Sequence, residues 1–263
     1  MSSTSGARGI ESSEPPLLWY DFSDSADPTR NLGTLGSGYD GHLLGNAHFG
    51  LDGGDAVLVL DGAADYVLPL GSEAAFDIGD TDFSLFARVR TTVADSSCGT
   101  SERGVIWKER TGGGAGQPGY TLGVLKSAGV VRFTLFPSNP GVPVIGSIPV
   151  NDGQFHDILA VRRGESIELY VDGVSDGVVP IGAIASTNNN NALVIGGRTL
   201  TGTGCTFDDD FLGDISEVRV YDRAVSPAAT PVPALHPLGL LALGSLLVLG
   251  TGAALASRIS RAG

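Results

Sequence analysis

The sequence predicts an all-β fold, an antiparallel β-sandwich, followed by one C-terminal transmembrane helix. Three observations lead to this prediction. Charged residues make up only 17% of the 263-residue chain, whereas glycine occurs 39 times. Short apolar runs are separated by Gly, Asn, Asp and Pro, which is typical of many strands joined by turns. Finally, the segment 238–256 contains apolar and small residues without a single charge.

Alternating polarity recurs from residue 17 to residue 222 and defines the strands. Apolar and polar residues alternate along 83–90 and again along 167–172, which predicts one buried and one solvent-facing side. In the first run the expected solvent-facing residues are Ser84, Arg88 and Arg90. Because no helical pattern interrupts the runs, we expect sheets packed face to face. Further strands are predicted at 17–22, 56–60, 104–108, 120–125, 130–136, 156–162, 192–196 and 212–221.

Charge and cysteine content exclude some classes of protein. The formal net charge of −13 argues against a nucleic-acid binder, which needs a basic surface to displace phosphate counterions. The acidic surplus either keeps the protein soluble or includes loop carboxylates that hold a hard cation such as Ca²⁺. The two cysteines, Cys98 and Cys205, are too far apart for a zinc motif. They form a disulfide or stay as free thiols.

The apolar segment 238–256 is long enough to cross a membrane. At about 1.5 Å per residue it spans close to the roughly 30 Å of a bilayer core. Arg258 and Arg261 follow it, and such residues favour the cytoplasmic side, so 257–263 is expected to be a short basic cytoplasmic tail. The domain at 15–225 should then be extracytoplasmic, joined to the helix by a Pro-rich linker at 226–237.

The linker carries a second signal. Val232, Pro233 and Leu235 form a Val-Pro-x-Leu element ahead of the apolar span and the terminal arginines. This arrangement resembles bacterial C-terminal sorting signals of the PEP-CTERM/IPTL-CTERM kind. The resemblance implies export, recognition by a membrane-embedded sorting protease, and a location at the bacterial surface or envelope. A plain single-span anchor is the alternative.

The N-terminal residues 1–14 have neither the basic region nor the apolar region of a signal peptide. We therefore expect the true signal peptide to be missing from this sequence. The same residues offer little to bury, so they are predicted to be disordered.

Several motifs occur in the order found in one family. They are LWYDF at 18–22, LDG at 60–62 with Tyr66 and Val67, NDGQFH at 151–156, LAVR at 159–162, ELYVDG at 168–173, and FLGDISEVRVY at 211–221 before Arg223 and Ala224. Together they resemble laminin-G (LamG) domains of the concanavalin-A-like lectin/glucanase type. Phe155 replaces the usual Trp, Ser216 a common Asp, and Val225 a final Leu. The resemblance implies a jelly-roll sandwich.

The implied topology also bears on the cysteines. In such folds the strand at 83–90 lies antiparallel to the closing strand at 212–221. The loop with Cys98 leaves the first strand and the loop with Cys205 enters the second, so both lie at one end. A disulfide between them is feasible there, and it would agree with an oxidising compartment.

The resemblance further implies a structural Ca²⁺ where the first and last strands meet. By position, the candidate ligands are Asp21, Asp24, Asp27 and Asp214. Carboxylate oxygens from separate loops suit Ca²⁺ better than a transition metal. The acidic run 208–210 is a rival cluster, and each aspartate alone could instead be a solvated turn residue.

No catalytic motif is present, so we expect no enzyme. Related glucanases carry a Glu-x-Asp-x-Glu strand that sets two carboxylates on one face. Glu165 and Glu168 are the nearest pair here, and their spacing puts them on opposite faces of a strand.

The remaining expectation is a surface recognition or adhesion module that binds glycans or cell-surface proteins. The alternative is a structural envelope or matrix protein without a small ligand, and a divergent glycoside hydrolase comes last. Sugar binding commonly uses an aromatic platform. Trp19 and Trp107 lie in predicted strands and are expected in the core, so no ligand residue can be named.

Overall fold

The structure is a computed structural model that describes residues 10–79, 81–94, 102–109, 118–137, 140–183, 186–197 and 210–228. Short strands and two 3-10 helices, Gly36–Tyr39 and Glu73–Phe76, make up its regular structure. The strands are β1 (Ile10–Glu11), β2 (Leu18–Tyr20), β3 (Gly41–Leu44), β4 (His48–Asp52), β5 (Asp55–Asp61), β6 (Tyr66–Pro69), β7 (Phe83–Arg90), β8 (Glu102–Glu109), β9 (Gly119–Leu125), β10 (Val130–Phe136), β11 (Val142–Pro149), β12 (His156–Arg163), β13 (Ser166–Val171), β14 (Val174–Pro180), β15 (Val194–Ile195), β16 (Leu212–Tyr221) and β17 (Ser226–Pro227).

Two antiparallel sheets form a sandwich, as predicted. One is seven-stranded, in the order β11-β10-β9-β8-β15-β6-β3. The other is eight-stranded, in the order β14-β13-β12-β7-β16-β5-β4, with β2 also paired to β16. The expected neighbourhood of the strand 83–90 and the closing strand is confirmed, because β7 pairs antiparallel with β16.

The central core lies between the sheets. On β7 the side chains of Phe83, Leu85 and Val89 are buried in it, as the alternating pattern predicts. The ring of Phe83 packs 5.0 Å from that of Tyr120 on β9 and 6.1 Å from that of Phe133 on β10, measured between centroids. These contacts join the two sheets through large apolar side chains, which supply most of the stabilising burial.

A second apolar cluster lies on the outer face of the eight-stranded sheet. It consists of Ile10, Phe86, Leu159, Val161, Tyr221 and Val225. Ser84 was expected to face solvent on this side, but it is fully buried and its hydroxyl donates to the Arg223 carbonyl at 2.9 Å. That expectation was wrong for Ser84 because the chain segment after β16 returns over the face.

The N-terminal segment takes part in this cluster. Strand β1 pairs with β17, and the side chain of Ile10 is only 4% exposed. Disorder was expected for residues 1–14, and the structure differs at 10–14, because the outer cluster gives Ile10 an apolar surface to cover. Residues 1–9 lie outside the described ranges.

The β-rich body is one compact unit that ends at Ala228. Among the described residues, no helix is long and apolar enough to span a bilayer. The predicted span 238–256 lies outside the described part of the chain.

Candidate ligand-binding cleft

An open cleft of about 350 Å³ lies at the end of the sandwich where β7 leaves and β16 enters the eight-stranded sheet. The end of β5 and the turn before β12 complete it. Its lining residues are Val59, Leu60, Arg90, Thr91, Thr92, Val93, Gly153, Leu212, Gly213 and Asp214. The lining thus combines an apolar floor with a few polar groups, which is the usual composition of a small-ligand site.

Close backbone contacts hold the cleft together. A Cβ on Gly213 would lie 2.1 Å from the carbonyl oxygen of Arg90, and Gly213 has a φ of +143°. Only glycine therefore fits where β16 passes β7. The Thr91 hydroxyl donates to the Leu212 carbonyl at 2.7 Å, and the Gly153 N–H donates to the Thr91 carbonyl at 3.1 Å. The chain that leaves β7 is thereby anchored to β16 and to the turn before β12.

Arg90 is the central charged residue of the cleft. Its Nε and Nη2 donate to Oδ2 of Asp214 at 2.9 and 2.7 Å, and its Nη1 donates to Oδ2 of Asp52 at 2.6 Å. The hydrogen bonds that the guanidinium donates to Asp214 raise the pKa of Arg90 above its ordinary value. Its side chain stays 28% exposed, so it can still offer N–H groups to a ligand.

Phe155 supports this arrangement from the turn before β12. The Cζ of Arg90 lies 4.7 Å from the centroid of its ring, and the Cζ of Arg88 lies 5.3 Å from it. Both distances are within the range of cation–π contacts. Arg88 also donates to Oδ1 of Asp157 at 2.6 Å. The aromatic residue of the family motif thus orders two guanidinium groups beside the cleft.

His156 joins the same turn to the β13–β14 turn. Its Nδ1 lies 2.7 Å from Oδ2 of Asp172, and its Nε2 lies 3.1 Å from Oδ1 of Asp152. A neutral imidazole donates from one nitrogen only. Contact of both ring nitrogens with carboxylates therefore favours the protonated form of His156, in which both nitrogens donate. Burial lowers the pKa of His156, but the hydrogen bonds to Asp172 and Asp152 raise it more, and the net shift is upward. The hydrogen bond from the Gln154 backbone N–H lowers the pKa of the Asp152 carboxyl group, and the contact with His156 lowers it further.

The four aspartates expected to bind Ca²⁺ lie in different settings. Asp21 accepts hydrogen bonds from the N–H and hydroxyl of Ser23 at 3.0 and 2.9 Å. Asp24 pairs with Arg30 at 3.3 Å, and Asp27 follows in the same turn, where its N–H donates to the Asp24 carbonyl.

Asp214 is paired with Arg90, whose Nη2 lies 2.7 Å from its Oδ2. In the described ranges, no group of three or more His, Cys, Asp or Glu side chains could hold a metal ion. Other groups contact three of the four carboxylates: Ser23 that of Asp21, Arg30 that of Asp24 and Arg90 that of Asp214. In the rival run 208–210, Asp210 accepts from the Ala64 N–H at 2.7 Å. Calcium binding stays a prediction.

Other predicted site residues lie outside the described residues. They are Cys98 and Cys205 of the expected disulfide, and Val232, Pro233, Leu235, Arg258 and Arg261 of the expected sorting signal. Their pairing and recognition stay predictions.

The two tryptophans have different positions. Trp107 is buried, as expected. Trp19 is only half-buried on the outer face of the eight-stranded sheet, where the Cζ of Arg219 lies 4.8 Å from its ring centroid. The expectation of a core position was therefore wrong for Trp19, because Leu18 and Tyr20 take the inward-facing positions of β2.

The glutamate pair resembles no catalytic pair. Glu165 is exposed in the turn before β13. Glu168 accepts hydrogen bonds from Nε of Arg163 at 3.2 Å and from the Tyr170 hydroxyl at 2.9 Å. The two carboxylates therefore have separate surroundings.

Sequence reasoning did not identify Arg90 as a cleft residue, nor Asp52 and Phe155 as its partners. Asp214 lies directly opposite Arg90 in the β7–β16 register, and the two are far apart along the chain. An arginine at the exit of one strand and an aspartate at the entry of its neighbour were the available signal. Reading that signal requires the register, which a single sequence does not contain.

The domain matches a known protein family. A family profile described as Concanavalin A-like lectin/glucanases superfamily matches residues 61–229, more than half of the chain. The chain belongs to this superfamily. The matched region includes β7, β16 and the turn before β12, and therefore most of the lining of the cleft.

Solved structures share the fold of this concanavalin A-like domain. The binding domain of Paraclostridial Mosquitocidal Protein 1 has a TM-score of 0.59 at 11% identity, covering 80% of this chain and 49% of that one. Domain 4 of AbnA, a GH43 extracellular arabinanase from Geobacillus stearothermophilus, in complex with arabinotriose, has a TM-score of 0.56 at 15% identity, covering 81% and 94%.

The binding domain of Botulinum Neurotoxin DC in complex with SialylT has a TM-score of 0.56 at 9% identity, covering 89% and 52%. The chain thus spans about half the length of the two toxin binding domains. At these identities the likeness shows the fold alone. Comparison with curated protein sequences gives no match.

Proposed function

We propose that this concanavalin A-like domain is a non-catalytic recognition module that binds a glycan in the cleft beside Arg90. The observation that carries the proposal is the combination of an open cleft with an apolar floor and an ordered, partly exposed guanidinium. A sugar presents both hydroxyl groups and apolar C–H faces, so it needs this mixture of surfaces.

The polar groups of the cleft are well suited to hydroxyl ligands. Arg90 is held in place by two carboxylates and by the ring of Phe155. Such pre-ordering lowers the entropy lost when a ligand binds. The exposed side chain of Thr92 adds a hydroxyl that can donate or accept, beside the apolar side chains of Val59 and Leu212.

Two of the structures with this fold support a glycan as the ligand. Domain 4 of AbnA is in complex with arabinotriose, and the binding domain of Botulinum Neurotoxin DC is in complex with SialylT. A concanavalin A-like sandwich can therefore carry sugar sites in proteins of widely different sequence.

We further propose that the module is displayed at a bacterial surface or envelope, where it serves adhesion. This part rests on the apolar segment 238–256 and on the sorting element at 232–235. The membrane-embedded sorting protease would be its processing partner, and a Cys98–Cys205 disulfide would suit that compartment. Structural Ca²⁺ is a further element of the proposal.

A glycan array tests the proposal directly. The full chain in mild detergent is applied in Ca²⁺ and again in EDTA, beside the variants Arg90→Gln and Arg163→Gln. We expect binding to a defined class of sugar, weakened roughly tenfold or more by Arg90→Gln because a charged hydrogen-bond donor is lost. Arg163 lies at the far end of β12, so its variant should bind normally.

The EDTA arm tests the calcium proposal separately. If EDTA abolishes binding, the site depends on a divalent cation. If a folded protein binds no sugar in either buffer, the structural or protein-contacting surface role replaces the glycan proposal.

A further inference from the structure

The charge of the cleft limits the kind of glycan that fits it. Arg90 contributes the positive charge of the described lining, and its guanidinium is bonded to the carboxylates of Asp214 and Asp52 at 2.7 and 2.6 Å. Two negative charges against one positive charge leave this cluster with a net negative charge. An anionic sugar would have to compete with both carboxylates for the same N–H groups.

The surroundings of the cleft add to this imbalance. Arg88 is paired with Asp157 at 2.6 Å, and His156 lies between Asp152 and Asp172. Around the turn before β12 the carboxylates therefore outnumber the cationic groups. The cations are Arg88, Arg90 and His156, and the carboxylates are those of Asp52, Asp152, Asp157, Asp172 and Asp214. The whole chain has a formal net charge of −13, which has the same sign as the net charge around the cleft.

We infer that the cleft selects neutral glycans and discriminates against glycans that carry a carboxylate or a sulfate group. The inference rests on the proposed function and names its ligand class. Like charges placed together at an interface weaken binding and exclude the wrong partner. Arg90 then acts as a fixed donor to sugar hydroxyls, since two carboxylates already neutralise its charge.

The same chemistry favours a neutral sugar. Its hydroxyls can accept from the exposed part of Arg90 and donate to the oxygens of Asp214, while its C–H groups lie on Val59, Leu212 and Val93. Such binding involves no net charge on the ligand, so it should respond little to salt.

Matched pairs of oligosaccharides test the inference on the full chain in mild detergent. Each pair is a neutral oligosaccharide and the same oligosaccharide bearing one sialic acid or one sulfate. We expect the neutral member to bind at least about tenfold more tightly at low salt. We also expect its affinity to change by less than about twofold between low and high salt.

The variant Asp52→Asn tests whether the negative charge beside the cleft causes the discrimination against acidic glycans. It removes one negative charge and keeps an amide oxygen that can accept from Nη1 of Arg90, and the Asp52 side chain is 41% exposed. The ratio of acidic to neutral binding should rise several-fold. Asp222→Asn is the matched control, because Asp222 follows β16 at the opposite end and its side chain is 50% exposed. That variant should leave the ratio unchanged.

The possible results separate the two claims. If the acidic member binds as tightly as the neutral one, or more tightly, the inference is overturned while the glycan-binding function stands. An unchanged ratio in a folded Asp52→Asn variant also overturns it, because charge would then not be the cause. Failure of both members to bind overturns the inference together with the proposed function.

Discussion

Lys108 is a fully buried ammonium whose partners tie together three segments at the end of the sandwich opposite the cleft. Its Nζ lies 3.0 Å from Oδ1 of Asp77 and donates to the carbonyls of Asn189 and Asn191, each at 3.0 Å. Burial lowers the pKa of this amine, and Asp77 partly offsets the effect. The group thus connects β8 to the chain after the second 3-10 helix and to the segment before β15.

Replacement of Lys108 by Met should destabilise the fold strongly. The Met side chain fills much of the space but removes the ammonium that Asp77 and two carbonyls share, so we expect a loss of about 3 kcal/mol in the free energy of unfolding. Denaturant unfolding measures it. A double-mutant cycle with Asp77→Asn should show clear coupling, whereas strictly additive losses would contradict the role given to the pair.

Gly213 is the second residue on which local geometry depends. Its φ of +143° and the 2.1 Å approach that a Cβ would make to the Arg90 carbonyl predict that Gly213→Ala forces β16 away from β7. We expect a loss of about 2 kcal/mol. Gly38→Ala is the control, because no atom lies within 4 Å of its Cβ position, and it should change stability by less than about 0.5 kcal/mol. Equal effects of the two substitutions would contradict this account.

At the scale of elements, the turn before β12 depends on the protonation of His156. The folded-state pKa of His156 is raised, so protonation stabilises the fold. The stabilisation is complete below the unfolded value of about 6.5 and is lost as the pH rises through the folded pKa.

Protonation of His156 should therefore cause a pH-dependent difference in melting temperature between the wild type and His156→Gln. The wild type should exceed the variant in melting temperature at about pH 5.5, and the difference should shrink by about pH 8. Thermal unfolding in matched buffers measures it. His42→Gln, at an exposed position on β3, is the control and should show no such trend. A difference that stays constant or grows with pH would contradict the stabilising role of the His156 contacts with Asp152 and Asp172.

The strands themselves were predictable where one face is buried. Alternation along β13 reflects burial against the core, and the structure confirms it, whereas on β7 the outer cluster also buries Ser84 and Phe86. The edge strands of the two main sheets, β3, β4, β11 and β14, were absent from the prediction. An edge strand has a neighbour on one side only and buries little, so its sequence has no strong alternation. Pro143 and Pro149 on β11 further obscure the pattern.

At the scale of the whole molecule, the sequence motifs were sufficient for the sandwich and its superfamily but not for the cleft. The cleft depends on pairs such as Arg90 with Asp214 and Arg90 with Asp52, which lie on different strands. A single sequence contains no information on which distant charges meet. For the same reason the pairing of the Asp214 carboxylate with the guanidinium of Arg90 could not be predicted from the sequence.

The central claim is that a glycan binds in the cleft beside Arg90, and hydrogen exchange localises binding most directly. Amide exchange of the full chain in mild detergent would be compared with and without a saturating neutral oligosaccharide taken from the array. We predict slower exchange at 91–93, at Gly153 and at 212–214, the backbone that lines the cleft. Protection confined to another part of the protein, with exchange in the cleft unchanged, would contradict the account.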